Sequence, residues 1–596
     1  MSPEVVAVAQ SGPGTGGERP PDRREPRTTR DGRGPEALSG EATSVRGDDI
    51  RIAAPRSPRP GGSPSLAGGA TGADAASARD PAVLAVDLSL VAGDAPLLGR
   101  VSFAVRRGEL VAVLGASGAG KSLLLEVLAG LTRPSAGAAL VLGHAAGDPR
   151  VGPRVGYVPQ ADLLGEALTV REALVSTLRL RAPALAGAPD ELEVRLARVL
   201  SRLGLAARAE VRIGRLSGGE RRRASLAVEL VADPEVLILD EVTSGLDARA
   251  ERRVVSLLRG LAAAGAAVVC TTHTLESVDA FDRAVVLHGG RVAFVGTPAE
   301  VRRRFGLARI QDLYRRLAER RPGAWAESPD GGEMAIPVAP RPAETVGERR
   351  RGAGALAQLP ALLGRQLRVT AREGFALAVL LGQAPLIGFL VALAYDGAHA
   401  AGRAEIGFKL ALSAIWLGCV SGCQELVKER ALYRRERLAG LSRAAYLASK
   451  VALVAGLAFG QAALLAALVL RLEPLGCDPR HLVAALFAAA FAAGILGLLI
   501  SAAVATRTAA VGLTPVALVP QVLFVGSLAP APGIAARIGR AMPSYWANEA
   551  VAHTVLDGRA GPPLVEMAVL GGYALLFLLA MTAVLAAREA ASGGGR

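Results

Sequence analysis

The chain of 596 residues is poor in aromatic side chains and in cysteine. Its four cysteines lack the short paired spacing of a zinc site, and Cys419 and Cys423 lie in an apolar run, as small packing residues do. We therefore expect no disulfide framework. The net charge of +14 comes without a basic patch interleaved with aromatic residues, so we expect no nucleic-acid partner.

The first eighty residues also lack what a folded domain needs. Residues 1–80 are rich in Gly, Pro, Arg, Ser and Ala and almost free of aromatic side chains, so they cannot bury enough apolar surface to fold. We expect a disordered arm there. The segment has no continuous apolar core of the signal-peptide type, so it predicts no secretion signal.

Long apolar runs appear after residue 355. Each is close to the length of about 20 residues that a helix needs to cross a hydrocarbon core of about 30 Å. A soluble helical core does not need so many runs of this length. We predict an all-α membrane domain over residues 375–590 with about six transmembrane helices, at about 375–395, 406–424, 451–471, 481–505, 508–528 and 564–587.

Basic residues set the expected orientation of these spans. The loop after the second run carries several lysines and arginines, from Lys428 to Lys450, whereas the loop after the third run carries only Arg480. Because basic loops stay in the cytoplasm, the first of these loops is expected inside. Six spans then leave both chain termini inside as well.

Two short segments precede the first span. Residues 319–353 contain Pro, Gly, Glu and Arg, which is typical of a linker. Residues 354–374 mix Leu, Val and Ala with Arg365, Arg368 and Arg372, which predicts an amphipathic connecting helix. That helix lies at the inner membrane face or packs as a cytoplasmic helix on the preceding domain; we favour the membrane face.

A glycine-rich turn, GASGAGKS, follows the apolar segment 110–114 and precedes a helical run at 123–128. A strand, such a turn and a helix N-terminus form a P-loop, in which consecutive backbone N–H groups converge on a phosphate. We expect Lys121 to reach the β- and γ-phosphates of ATP and the Ser122 hydroxyl to bind Mg²⁺. The candidate ATP-binding residues of the turn are Gly115, Ser117, Gly118, Ala119, Gly120, Lys121 and Ser122.

Short apolar strands alternate with helical segments over residues 81–318, which predicts an α/β domain of the P-loop NTPase class. One strand, 236–239, ends in Asp240 and Glu241. An Asp at the end of a buried strand suits a contact with Mg²⁺, and a following Glu suits polarisation of an attacking water. Further polar motifs are YVPQ, LSGGE, SGLD and TTH, with Gln160, Ser217, Asp247 and His273.

The order of these motifs resembles an ATP-binding cassette ATPase, over about residues 83–305. The resemblance implies that Asp240 is the Walker B acid, that Glu241 is the catalytic glutamate and that His273 is the switch histidine near the γ-phosphate. Gln160 is implied to help hold Mg²⁺, together with Ser122 and Asp240. On the same grounds the remaining ATP-site residues are the signature residues Ser217, Gly218 and Gly219, which contact a partner's P-loop, and Asp247 of the D-loop.

The sequence departs from that family pattern at two positions. An aromatic residue that stacks on adenine would fall near Ala92, and none is nearby. Val242 stands where the family often has proline after the catalytic glutamate. We expect little effect from the second change, because that side chain supplies no chemistry.

The cassette precedes the membrane domain in the chain. This order resembles that of the half-transporters of the G subfamily of this family, which are also found in bacteria. Residues 429–440 resemble the cytoplasmic loop that docks on the cassette, although a simple topology signal would look the same. Residues 520–524 and 542–550 resemble further parts of that membrane domain. The resemblance implies a bacterial multi-pass protein of the inner (plasma) membrane, with the cassette in the cytoplasm.

The expected activity is ATP hydrolysis that drives export of a lipophilic or amphipathic small molecule or lipid. Since one cassette cannot complete its own site, two copies are needed, as a homodimer or with a different half. The alternative is a membrane-anchored ATPase that powers or regulates a partner protein without solute flux. Gln383, Gln461 and Gln521 are candidate cavity residues for cargo, or else form helix–helix hydrogen bonds.

Overall fold

The computed structural model describes residues 81–325, apart from 94, 273–274 and 322–323, and residues 354–592, apart from 396–398, 474, 525–532 and 557–560. The predicted arm and most of the predicted linker lie outside the described residues.

Two β-sheets organise the part of the chain before residue 325. An antiparallel sheet has the strand order β2-β1-β4-β5, and a six-stranded sheet has the order β10-β9-β3-β8-β7-β6. The strands are β1 (Pro81–Ala92), β2 (Ala95–Arg106), β3 (Leu110–Leu114), β4 (Ala136–Val141), β5 (His144–Ala145), β6 (Val155–Val158), β7 (Val236–Leu239), β8 (Ala267–Thr271), β9 (Arg283–His288) and β10 (Arg291–Gly296).

Neighbouring strands of the six-stranded sheet are parallel, except for the antiparallel pair β9–β10. The strands β3, β7 and β8 are buried along their whole length, which agrees with their unbroken apolar sequences. Alternate residues of β3 face different cores: Leu110 and Leu114 pack with the helices, whereas Val111 and Val113 pack toward the antiparallel sheet. The carboxyl ends of these strands lie side by side, where open α/β sheets bind ligands.

The helices of this domain surround the six-stranded sheet. They are α1 (Lys121–Ala129), α2 (Val170–Arg181), α3 (Pro183–Ala186), α4 (Pro189–Arg202), α5 (Gly218–Leu230), α6 (Ala248–Ala263), α7 (Pro298–Phe305) and α8 (Leu313–Ala318). Three of them begin with a capping box, led by Thr169, Ser217 and Thr297. Trp325, within the predicted linker, packs on Phe305 with 5.0 Å between the ring centroids.

The regular secondary structure described after residue 354 is all helical. The α-helices are α9 (Ala355–Arg372), α10 (Gly374–Ala394), α11 (Ala400–Gly422), α12 (Arg430–Leu438), α13 (Arg443–Leu472), α14 (Pro479–Ala503), α15 (Arg507–Leu523), α16 (Ile534–Arg540), α17 (Pro543–Val555) and α18 (Leu564–Ser592).

Five of the described helices are long and apolar enough to cross a membrane: α10, α11, α13, α14 and α18. The fifth predicted span, 508–528, corresponds to α15, which has 17 residues and contains Pro515 and Pro520. Its helix ends at Leu523, and the predicted remainder up to residue 528 lies largely outside the described residues. The prediction of about six spans therefore becomes five full-length helices and one shorter one.

Two of the three glutamines considered as cavity residues bond between helices. Gln461 is fully buried; its Nε2 donates to the carbonyl oxygen of Leu380 at 3.0 Å, and its Oε1 accepts from the Ser421 hydroxyl at 3.3 Å. The Oε1 of Gln521 accepts from the backbone N–H of Ser544 at 3.1 Å. For these two side chains, the contacts support the helix–helix alternative. Gln383 is half-buried.

Glycines allow α11 and α14 to pack closely. A Cβ at Gly418 would lie 2.0 Å from the carbonyl oxygen of Ala490, and one at Gly422 would lie 2.2 Å from that of Gly494. Gly497 makes the reciprocal approach, since its Cβ would lie 2.3 Å from the Cys419 carbonyl oxygen. Small residues at such crossings let helix backbones touch, which is how membrane helices gain packing energy where no hydrophobic effect drives them together.

We predict that Gly422→Ala destabilises the membrane domain by about 1–3 kcal/mol, because the new methyl group must push α11 and α14 apart. The matched control is Gly456→Ala on α13, where a Cβ meets nothing within 4 Å. There alanine is expected to be neutral, or to stabilise by up to about 1 kcal/mol through its higher helix propensity. Thermal unfolding of the two purified variants in one detergent measures both effects, and equal midpoints would contradict the packing argument.

Candidate functional site

The glycine-rich turn joins β3 to α1, and three of its glycines occupy positions that other residues fit poorly. Gly118 and Gly120 have φ values of +77° and +92°, in the left-handed region. A Cβ at Gly115 would lie 2.6 Å from the carbonyl oxygen of Leu287. Ser117 is exposed, Ala119 is buried and Ser122 is half-buried. The turn leads into the N-terminus of α1, whose first N–H groups have no intrahelical acceptor and suit an anion.

Lys121 is the first residue of α1, and its side chain is held against the turn. Its Nζ donates to the carbonyl oxygens of Gly115 at 2.8 Å and Ala116 at 3.0 Å. Burial lowers the pKa of Lys121 from its ordinary value, while the nearby charges of Glu241 and Asp240 oppose that shift. The ammonium group and the two acids thus share one site.

The acids at the end of β7 are nearly buried, with Asp240 2% and Glu241 9% exposed. Thr271 ends the neighbouring strand β8, and its hydroxyl contacts both residues. Its Oγ1 donates to Asp240 Oδ1 at 2.7 Å and accepts from the backbone N–H of Glu241 at 2.7 Å. Among the described residues no hydrogen bond reaches Asp240 Oδ2. Asp240 Oδ2 and the Ser122 hydroxyl are oxygen ligands of the type that Mg²⁺ binds.

Gln160 follows β6 and is exposed, and its Nε2 donates to Glu241 Oε2 at 3.0 Å. The backbone around these residues is held by Arg222, a buried side chain of α5. Its guanidinium donates to the carbonyl oxygens of Pro159 at 2.7 Å, Gln160 at 3.0 Å and Glu241 at 3.3 Å, and also to that of Asp240. One side chain therefore connects α5 to the ends of both β6 and β7.

The motif residues Ser217, Gly218 and Gly219 form the N-terminus of α5. Ser217 caps the helix, since its Oγ accepts from the backbone N–H of Glu220 at 3.3 Å. Hydrogen bonds from the Ser217 backbone N–H, the Arg208 guanidinium and the Ser217 hydroxyl lower the pKa of Glu220 to about 2. Ser217 and Gly218 are exposed, and no hydrogen bond or ion pair among the described residues joins the motif to the glycine-rich turn of the same chain.

Asp247 caps α6. Its Oδ1 accepts from the backbone N–H groups of Ala250 at 2.8 Å and Arg249 at 2.9 Å, and these bonds lower the pKa of this exposed carboxyl. His273 lies outside the described residues, so its predicted place near the γ-phosphate stays a prediction.

Sequence reasoning missed two side chains of this site, Thr271 and Arg222. Thr271 belongs to the TTH motif, where only the histidine was assigned a role. Arg222 is the middle residue of three consecutive arginines after the LSGGE motif. Burial at 5% distinguishes it from its neighbours Arg221 and Arg223, which are half-buried, but no signal in the sequence separates the three.

The far end of α5 contacts the membrane part of the chain through Glu229. Its carboxylate accepts from Arg181 Nη1 at 2.6 Å and from Nε of Arg435, on α12, at 2.9 Å. Burial alone would raise the pKa of Glu229, but the two guanidiniums outweigh it and hold the pKa below its usual range. Arg435 Nη1 also donates to the carbonyl oxygen of Leu163 at 2.8 Å. We call α12 the docking helix.

The docking helix also contacts the cassette at Gly152, in the short 3₁₀ turn just before β6. A Cβ at Gly152 would lie 1.9 Å from the carbonyl oxygen of Leu438, at the end of the docking helix, so only glycine fits this approach. A cavity of about 470 Å³ lies between these elements, lined among others by Leu163, Arg181 and Val369.

The connecting helix α9 packs on protein, which supports the alternative to a membrane-face helix. Arg372 Nη2 donates to Glu172 Oε1 at 2.8 Å, and Val369 packs against the core of the cassette. Arg365 Nη2 donates to Glu436 of the docking helix at 2.9 Å. The arginines on this amphipathic helix thus find carboxylates on neighbouring helices.

Comparison with known proteins gives two family matches. Residues 98–244 match the family described as ABC transporter, and residues 357–556 match the family described as ABC-2 type transporter. The first range contains the glycine-rich turn, the signature motif and the acids of β7, and the second contains α9 to α17.

Individual relatives agree with these matches. The chain is 33% identical over 490 residues to an ABC transporter ATP-binding/permease protein of Mycobacterium tuberculosis, covering 78% of this chain and 56% of that protein. It is 37% identical to a Nod factor export ATP-binding protein I of a Rhizobium species, over 36% of this chain and 71% of that protein. It is 35% identical to ABC transporter G family member 26 of Arabidopsis thaliana, over 34% of this chain and 30% of that protein. The chain thus spans little more than half the length of the mycobacterial relative.

We predict that Lys121→Ala weakens ATP binding by at least about tenfold, because the variant loses a buried cation that would meet the phosphates. Equilibrium binding of a fluorescent ATP analogue to the purified protein measures the effect. The matched control is Lys428→Ala, which removes a lysine on the membrane side of the docking contact and should leave affinity unchanged. Unchanged affinity in Lys121→Ala would contradict the assignment of the turn.

Proposed function

The chain belongs to the ABC transporter family, and from this premise we propose that it is a half-transporter whose dimer hydrolyses ATP to export a lipophilic or amphipathic small molecule or lipid. The observation that carries the proposal is the position of α5. Its N-terminus bears the signature motif, Arg222 holds the backbone of Asp240 and Glu241, and Glu229 binds Arg435 of the docking helix. A passive membrane anchor would not need this connection.

In the proposed cycle the glycine-rich turn and Lys121 bind the phosphates of ATP, and Glu241 polarises the attacking water. Mg²⁺, held by Ser122 and Asp240 with help from Gln160, would neutralise developing charge on the phosphates. The Gln160 amide already donates a hydrogen bond to Glu241, so it is placed to respond to a change at the catalytic carboxylate. His273 is proposed to act near the γ-phosphate.

We propose that two copies complete each other's sites. Among the described residues, no hydrogen bond or ion pair joins the signature residues Ser217, Gly218 and Gly219 to their own glycine-rich turn, and Ser217 and Gly218 are exposed, so the motif is accessible to the turn of a second copy. A homodimer would have two competent sites, because each catalytic motif is present; a heterodimer with a related half is the alternative. ATP binds the closed pair better than the open one, which is what shifts the conformation.

The cargo class follows from the spans and the relatives. The span helices α10 and α14 contain no acidic residue and almost no basic one, which suits an apolar or amphipathic cargo. The Rhizobium relative is named as a Nod factor export protein, which supports export as the direction. The basic loop around the docking helix supports a cassette on the cytoplasmic side of the membrane. The mycobacterial relative supports a bacterial inner membrane as the location.

The test is ATP-dependent translocation of fluorescent phospholipids and lipophilic dyes in proteoliposomes, with ATP hydrolysis measured in parallel. Hydrolysis accompanied by flux of one probe class supports the proposal. Full hydrolysis without flux across the whole panel would favour a membrane ATPase that powers a partner protein.

We predict that Glu241→Gln keeps ATP affinity within about twofold of the wild type and lowers the steady hydrolysis rate at least about 100-fold, because the amide cannot polarise the water. Phosphate release measured beside nucleotide binding separates the two effects. The matched control is Glu276→Gln, on the 3₁₀ turn after β8, which is expected to hydrolyse at the wild-type rate. Substantial turnover by Glu241→Gln would refute its role.

We predict that Arg435→Ala uncouples the domains, since it leaves Glu229 buried with one guanidinium and costs about 2–5 kcal/mol at the docking contact. ATP binding should persist, while flux per ATP hydrolysed falls at least about tenfold. Arg434→Ala is the matched control, because the neighbouring arginine lies on the same helix and is exposed. Equal flux per ATP in both variants would contradict the coupling role of the buried ion pair.

A further inference from the structure

Thr271 lies where two strands bring the catalytic acids together. Leu239 pairs with Cys270 in the parallel ladder of β7 and β8, so Asp240 and Thr271 are the next residues along the two strands. Thr271 is fully buried. Its hydroxyl donates its proton to Asp240 Oδ1 and accepts the N–H of Glu241, each at 2.7 Å. One hydroxyl thus contacts both residues expected to act on the metal and on the water.

The backbone of Glu241 needs such a support. Its φ of +51° lies in the left-handed region, which costs a non-glycine residue about 1–2 kcal/mol. Three contacts oppose a return to ordinary geometry: the bond from the Glu241 N–H to Thr271, and the bonds that its carbonyl oxygen accepts from Arg222 and from Ser244 N–H at 3.0 Å. Because this φ aims the glutamate side chain, loss of one anchor shifts the direction of its carboxylate.

The same hydroxyl also orients Asp240. The hydrogen bond from Thr271 to Oδ1 restrains the rotation of the carboxylate, and no hydrogen bond among the described residues reaches Oδ2. A valine side chain would have the same shape but could neither donate to Asp240 nor accept from Glu241. The Glu241 N–H would then be buried without this acceptor, which costs more than the bond itself contributes.

We infer that Thr271 is a positioning residue for ATP hydrolysis: its hydroxyl sets the direction of the Mg²⁺-binding oxygen of Asp240 and of the Glu241 carboxylate together. This inference rests on the proposed ATPase function. Partners that orient a metal ligand typically change metal affinity or activity by about 10–100-fold when they are removed. Thr271→Val should therefore weaken the metal-dependent part of nucleotide binding and slow the chemical step.

The experiment uses the full-length protein in lipid nanodiscs and four variants: Thr271→Val, Thr271→Ala, Thr271→Ser and Thr177→Val. Serine keeps both hydrogen bonds and loses only a methyl group. Thr177→Val is the matched control, since it removes a hydroxyl that donates to the Ala173 carbonyl oxygen within α2. Unfolding midpoints are recorded for each, and Thr271→Ala replaces Thr271→Val if valine does not fold.

Binding is measured in a Glu241→Gln background, so that no turnover interferes. ATP affinity is compared with Mg²⁺ and with EDTA. We expect Thr271→Val to lose about tenfold in affinity with Mg²⁺ and nothing with EDTA, and Thr271→Ser and Thr177→Val to match the background. A second readout, in the Glu241 enzyme, is kcat and KM for ATP across Mg²⁺ concentrations. We expect kcat to fall at least about tenfold in Thr271→Val, and the Mg²⁺ concentration that gives half of the maximal rate to rise. Thr271→Ser is expected to have wild-type values of both quantities.

The inference is overturned if Thr271→Val, or Thr271→Ala in its place, binds ATP with Mg²⁺ as tightly as the background. It is equally overturned if Thr271→Ser is as impaired as Thr271→Val, since the methyl group and not the hydroxyl would then matter. Failure of the proposed function looks different: Glu241→Gln alone would hydrolyse ATP at the wild-type rate, whatever residue stands at position 271.

Discussion

The buried carboxylate of Glu229, held between Arg181 and Arg435, forms the buried ion pair that joins the cassette to the docking helix of the membrane domain. A buried ion pair adds little net stability, because desolvation offsets much of its attraction. The ion pair instead fixes the relative orientation of the paired side chains, because a guanidinium binds a carboxylate in a shared plane. The docking helix can therefore take only a narrow range of orientations relative to α5. Arg222 ties the same helix to Asp240 and Glu241, so in the proposed cycle a change at the acids would act on a helix that also contacts the membrane domain.

The membrane half is built for close packing more than for polar contacts. Gly418, Gly422, Gly494 and Gly497 bring α11 and α14 within backbone contact, and Gln461 and Gln521 bond between helices. In the proposed cycle, a displacement of the docking helix, which leads into α13, would therefore move these closely packed helices together.

Much of this architecture could be predicted because its signals are local. The glycine-rich turn, the acids after an unbroken apolar strand and the apolar runs each follow from residue types at short spacing. The sequence left the place of the connecting helix open, because arginines on an amphipathic helix suit lipid phosphates and carboxylates equally well; the contacts with Glu172 and Glu436 support packing on protein. The roles of Arg222 and Thr271 could not be predicted, since one acts on carbonyl oxygens and the other bridges residues 30 and 31 positions away. The predicted span 508–528 differs because its helix, α15, contains Pro515 and Pro520 and ends at Leu523.

The most direct test of the account measures the distance between the docking helices of two copies. A spin label at Arg434→Cys, with the four native cysteines replaced, gives one distance between copies by pulsed electron resonance in nanodiscs. In a Glu241→Gln background, the account predicts that ATP with Mg²⁺ shifts this distance to a shorter, narrower distribution. A distance that ATP leaves unchanged, or no distance between copies at all, would contradict it.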